Sequence, residues 1–333
     1  MGSILKKLLL VGFLCIAGAL FAAEDYYAAL ERVENWLGKR YDKSSLVYRE
    51  RRRKLERIVN AEDSDAAKIA ALKKEFPEAF ASDPSGVAAV RSSDDRIVLA
   101  LPGDVKLALA KVDAGSFEMS ARDGENFYSE VPHRATLTKD FYIGQTEVTQ
   151  AQWRAVMGDN PSKFKGDDLP VEQVSWYDAM AFCEKLNSMG KAPAGYKFTL
   201  PTETQWEFAA RGGKKSRGCK YSGSNDVGEV AWYYDNSGYK THPVASKKAN
   251  ELGLYDMSGN VREWCLDDWD GDSSKAEPEF ARSADDSNGS RRVSRDGSWL
   301  NEARFCRSAG RGDLGPGSRY DVLGFRVALV PVR

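Results

Sequence analysis

After position 25 the apolar residues Tyr26, Leu30, Val33 and Leu37 recur three and four apart, which places them on one face of a helix. Two shorter and more charged stretches, 47–59 and 66–76, read as further helices until Pro77 and Pro84 end the region. The basic run 49–57 is interrupted by Glu50 and Glu56 and reads as a solvated helix face. Beyond Asp95 the period drops to two: residues 97–112 alternate like paired strands around a Pro102-Gly103 turn. The pattern divides the chain into a small helical region at 24–95 and a second domain at 96–333, with the changeover between 82 and 95.

Inside the second domain the helix starts are marked by their caps. Thr149 caps a segment that runs to Met157 and is closed by Gly158. Ser175 with Asp178, and Thr202 with Gln205, form capping-box patterns ahead of 180–186 and 206–211, and Gly212 and Gly213 stop the last helix. Short strands and long loops lie between, without the strand-helix alternation of a doubly wound sheet. The predicted class is α+β with much irregular structure. The acidic, serine-rich stretch 267–290 reads as a surface loop, its Asp268, Asp270 and Asp272 lacking the spacing of an EF-hand. Trp153, Trp176, Trp206, Trp232, Trp264 and Trp299 are expected mainly in the core.

The N-terminus adds a targeting signal. Lys6 and Lys7 precede an apolar run at 8–21 that breaks at Glu24 and Asp25, the layout of a signal peptide over 1–23 with cleavage sites after Ala19, Ala22 or Ala23. At about 14 residues the run is short of the roughly 20 that a spanning helix needs. An exported protein, periplasmic or secreted, with no membrane span after cleavage is expected. Phe13 and Leu14 are poor residues ahead of a lipidated Cys15. Cys183, Cys219, Cys265 and Cys306 remain, and in an oxidising compartment they allow three full pairings. No Cys-x-x-Cys occurs, which argues against a zinc ribbon or a thioredoxin-type site. Lys and Arg total 48 against 49 Asp and Glu in 333 residues, so no global field favours nucleic acid or an acidic membrane.

Several segments in order carry a family pattern: 142–149 (YIGQTEVT), 170–176 (PVEQVSW), 200–207 (LPTETQWE), 253–264 (GLYDMSGNVREW), 295–307 (RDGSWLNEARFCR) and Gly324-Phe325-Arg326. Together they span nearly all of 101–332 and resemble the formylglycine-generating enzyme, or sulfatase-modifying factor, family. The resemblance implies a C-type-lectin-like fold with little regular secondary structure. It does not by itself fix an activity, because the family also includes accessory proteins of pigment or siderophore pathways, sulfoxide synthases, and gliding or secretion lipoproteins.

Oxidase members of the family hold copper between paired cysteines just after a Gly-Gly-Ser-aromatic segment. Here Cys306 matches the second position and Asn301 the first, and a carboxamide is a poor ligand for soft Cu(I). Asp296 also stands where the family usually has Gly. Copper oxidase chemistry is therefore not expected. The iron-dependent branch takes histidines from an added helical domain, whereas His133 and His242 lack a carboxylate at helical spacing and read as structural. Ser298 has neither a nucleophile elbow nor a triad histidine around it.

What the resemblance does imply is structural Ca²⁺ held by the side chains of Asp256 and Glu263 and the carbonyls of Gly259 and Val261, a hard oxygen set for a hard cation. Arg262 replaces the usual Trp beside Glu263, and a second family calcium site finds only Asn236. The resemblance also sets the segments of Cys265 and Cys306 side by side, implying a disulfide between them, with Cys183 buried on its helix and Cys219 in an exposed loop. The expected function is a calcium-stabilised binding or accessory protein for a peptide, protein or glycan ligand. The alternative is a divergent sulfatase-modifying or other protein-modifying oxidoreductase with a pocket at Ser298, Asn301 and Cys306. A free Cys306 thiol beside a cleft would favour the alternative.

Overall fold

The computed structural model describes residues 30, 33–34, 46–59, 61, 65–75, 90–91, 95–120, 129–275 and 291–332. The chain divides between Gly86 and Val87 into two compact units. In the first, α1 (Leu46–Val59) packs against α2 (Asp65–Glu75). Leu30 and Val33 of the expected apolar face are buried, as are Leu55 and Leu72. Arg53, Glu56 and Arg57 are exposed, as a solvated face requires. Tyr26, Leu37 and the signal segment lie outside the described residues.

The second unit opens with β1 (Val90–Arg91), β2 (Arg96–Ala100), β3 (Lys106–Val112), β4 (Gly115–Met119), β5 (His133–Leu137) and β6 (Phe141–Gly144). It continues through α3 (Gln150–Met157), α4 (Trp176–Ser188), β7 (Tyr196–Thr199), α5 (Glu203–Ala210) and α6 (Val227–Val230). Strands β8 (Arg262–Asp268), β9 (Arg292–Arg295), β10 (Arg311–Leu314), β11 (Leu323–Gly324) and β12 (Ala328–Pro331) complete it. The sheets run β1-β2-β3-β6-β12-β7, β10-β9-β8-β11 and β4-β5. The expected hairpin is β2–β3, with Leu99 opposite Leu107 and a tight turn at Pro102–Asp104.

Every expected cap is present. Thr149 with Gln152, Ser175 with Asp178 and Thr202 with Gln205 exchange side-chain and backbone hydrogen bonds as full capping boxes. Gly158 ends α3 in the left-handed region, at φ 95°. One apolar cluster gathers β2, β3, α3 and α4 with Phe325, and there the Trp153 ring stacks on Phe182 at 5.6 Å. A second joins Trp206, Phe208, Leu254, Met257, Cys265 and Val293. Trp153, Trp206, Trp264 and Trp299 are buried, while Trp176 and Trp232 are only half so. The stretch expected as a surface loop from 267 begins instead inside the fold: Asp267 lies in β8, is buried, and accepts a hydrogen bond from the Glu203 amide. Residues 276–290 of that stretch are outside the described residues.

Candidate functional site

The loop that leads into β8 and the second residue of β8 carry the residues expected to hold calcium. The loop backbone is forced into unusual shapes: Asp256, Gly259 and Asn260 all have positive φ. A side chain at Gly259 would overlap the Trp232 carbonyl, so only glycine passes there. Asp256 and Glu263 are both buried, and Asp256 accepts from the Ala245 amide at 2.7 Å. Glu263 receives the guanidinium of Arg326 on both oxygens and the Trp206 indole N–H at 2.8 Å. Arg326 also donates to the carbonyls of Gly144, Tyr255 and Asp256. A further carboxylate, Glu147, is buried alongside and accepts from the Val261 amide and the Asn260 carboxamide.

This centre has more acid than base. Burial, then the charges of Asp256 and Glu263, push Glu147 well above the usual carboxylate range. Burial likewise pushes Asp256 up to about 6. The donor set is all oxygen, and the carboxylates outnumber the one guanidinium, so the residues fit a divalent cation by charge and by hardness. Glu263 would share its oxygens between that cation and Arg326. Among the described residues no group of three or more His, Cys, Asp and Glu side chains could hold a metal ion. A site of two carboxylates and two carbonyls is not such a cluster, whereas a copper thiolate site would need one more soft donor beside Cys306.

The 295–307 segment lies against this centre through β9, where Arg295 sits opposite Glu263. Arg295 is fully buried and pairs with Glu203 at 2.9 Å and Glu207 at 2.6 Å. Although burial opposes it, Arg211 and Arg295 hold Glu207 below its ordinary pKa. Ser298, Asn301 and Cys306, the residues of the pocket anticipated from the sequence, follow in this segment. Ser298 donates to the Asn301 carboxamide oxygen at 2.8 Å. Cys306 is buried with Tyr221, Val230 and Ala231, and a side chain on Gly297 would strike its sulfur.

The anticipated Cys265–Cys306 disulfide is absent: Cys183, Cys219, Cys265 and Cys306 are all free. The reason is packing direction. Cys265 belongs to the Trp206 cluster and feels Asp267 and Glu203, while Cys306 lies in another cluster and feels Asp296 and Arg262. Burial pushes both thiols well up. Burial of this kind opposes thiolate formation at Cys306. Cys183 is buried on α4 and Cys219 half-buried.

Beside this segment lies a cavity of about 150 Å³ lined by Glu130, Arg262, Trp269, Asp296, Arg307 and Arg311, among others. Arg307 is clamped to Glu130 and Arg311 to Glu203, each through two hydrogen bonds. His133 and His242, read as structural, each have a ring nitrogen within hydrogen-bond distance of a backbone carbonyl, those of Val131 and Ser237.

Fold and site together define a class. Residues 106–330 match the sulfatase-modifying factor enzyme 1-like domain, and the chain belongs to that family. It is 40% identical over 240 residues to the chaperone protein LppX of Paenibacillus barcinonensis, covering 58% of this chain and 78% of LppX. It is 33% identical over 204 residues to the formylglycine-generating enzyme of Thermomonospora curvata, spanning 56% of this chain and 63% of the enzyme. Among solved structures, Treponema denticola variable protein 1 matches with a TM-score of 0.60 at 33% identity, over 71% of this chain and 99% of that one.

Sequence reasoning quoted Glu147 and Arg326 inside family segments but gave them no role. Their part depends on contacts across the fold, since Glu147 reaches Val261 and Arg326 reaches Glu263. The one signal available was an acidic residue in the apolar context Thr146-Glu147-Val148, which needs a buried partner.

Proposed function

We propose that this chain is an exported, non-oxidase member of the sulfatase-modifying-factor family, a binding or accessory protein for a peptide, protein or glycan on a calcium-stabilised scaffold. The observation that carries the reading is the pair Asn301 and Cys306: the first is tied to Ser298, and the second is sealed in an apolar cluster where burial pushes its thiol up. Asp256 and Glu263, with the carbonyls of Gly259 and Val261, would hold the calcium, which would supply structural charge and no chemistry. Glu147, whose carboxyl burial pushes well up, would add negative charge there only as a cation displaces its proton.

A surface of binding type supports the same reading. Tyr234 and Tyr239 are exposed and meet edge to face at 5.4 Å, and exposed Leu300 is next in sequence to Asn301, whose carbonyl accepts from the Tyr234 amide. Exposed aromatics joined to an apolar residue suit a peptide or a sugar face. Export rests on the basic-then-apolar N-terminus, and among the described residues no helix is long and apolar enough to cross a membrane. Metal analysis of the mature protein after dialysis against mixed copper and calcium tests the reading. One calcium and no tightly held copper per chain is expected; stoichiometric copper without calcium would overturn it.

A further inference from the structure

The cavity at Asp296 has two polar side chains whose hydrogen-bonding capacity the fold leaves incompletely used, and each feels the charge of the other. Arg262 lines it half-buried, and its sole hydrogen bond among the described residues runs from Nε to the Ser294 hydroxyl at a marginal 3.4 Å. Its Nη2 end lies over Gly312, where a side chain could not fit. Asp296 is 1% exposed. Its Oδ1 accepts from the Gly297 amide at 2.6 Å, and its carboxylate also takes the Gly259 amide. Oδ2 is buried and has no partner.

Both residues line one cavity. A buried carboxylate oxygen without a hydrogen bond is costly, and beside a guanidinium with one marginal bond it leaves room for a ligand that completes both. The other charges on the walls are already used, Arg307 on Glu130 and Arg311 on Glu203, so the unmatched pair alone sets the polarity of the space. Trp269, against which Arg311 stacks at 4.2 Å, and Phe305 give it apolar sides.

At about 150 Å³ the cavity is far below the size of sites that take drug-sized ligands. Its occupant must be small, and it must offer an anionic group to Arg262 and a donor to Asp296 at once. We propose that this cavity binds a small zwitterionic α-amino acid, its carboxylate received by Arg262 and its ammonium by Asp296. The site borders the calcium centre, since Arg262 lies between Val261 and Glu263 and Asp296 takes the Gly259 amide, but it uses other side chains and stands whether or not the chain is an oxidase.

The test is calorimetry and ligand-observed NMR on the mature protein, with L-alanine as the probe and acetate, methylammonium and inorganic phosphate as separate arms. Saturable binding of L-alanine is expected, at least about tenfold tighter than acetate or methylammonium, because only the zwitterion engages both groups. Asp296→Asn, which keeps an oxygen for the Gly259 and Gly297 amides, and Arg262→Gln should each weaken it by at least about tenfold. If Arg262→Gln does not fold, Asp296→Asn carries the test. No binding of L-alanine, phosphate or acetate binding as tightly, or full affinity in folded Asp296→Asn would overturn the proposal. None of these results alters the metal content, so failure here is distinguishable from failure of the functional reading.

Discussion

Replacing Asp256 by Asn removes a charge that the fold buries at a cost. Burial moves this carboxyl from 3.8 up to about 6. An acid whose pKa is raised in the folded chain keeps its proton longer there. The stability it leaves intact below pH 3.8 is therefore lost as pH climbs to about 6, and stays lost above. A shift of about two units at roughly 1.4 kcal/mol each makes the bare carboxylate cost about 3 kcal/mol at neutral pH. For a domain of this size that is on the order of 6–12 °C in the thermal midpoint. Glu147 titrates in the same direction and deepens the effect. A cation at the centre cancels the cost by competing with the proton. Calorimetric scans of the mature chain at about pH 5 and about pH 7.5, with chelator or calcium, read this directly. In chelator the wild type should lose midpoint on going to neutral pH, and Asp256→Asn should not. Calcium should restore several degrees to the wild type at neutral pH and little to the variant. A wild-type midpoint that ignores both pH and calcium would refute the reasoning.

Arg326→Met should cost about 3–5 kcal/mol, because it strands Glu263 in the core as an unpaired buried charge; chemical denaturation measures it. Gly259→Ala combines strain at φ 84° with overlap on the Trp232 carbonyl and should lower stability by at least about 2 kcal/mol in the same assay. Under native conditions iodoacetamide should label Cys219 before Cys183, Cys265 or Cys306, and peptide mapping that finds Cys306 modified first would contradict its burial.

The local elements were legible because their causes are local. Thr149, Ser175 and Thr202 start helices through bonds to residues three positions on, and Pro102-Gly103 turns a hairpin whose strands alternate apolar and polar. The site was legible only in part. Asp256 and Glu263 could be picked out, but the guanidinium that takes both Glu263 oxygens comes from sixty-three positions further on, and no spacing rule reaches that far. The disulfide expectation went wrong for a related reason. Strand pairing does bring the two segments together, yet it says nothing about which cluster each thiol enters, and Cys265 and Cys306 enter different ones. Composition places Asp267 in a surface loop, whereas a buried amide at the start of α5 supplies its partner.

The central claim is that the Asn301 and Cys306 pair has lost oxidase chemistry. Incubating the mature protein with Cu(I), oxygen, a reductant and a cysteine-containing sulfatase peptide, and following the peptide by mass spectrometry, tests it most directly. The account predicts the peptide mass unchanged, with no aldehyde formed beyond the protein-free control. Formylglycine accumulating over repeated turnovers, and abolished in Cys306→Ser, would contradict it.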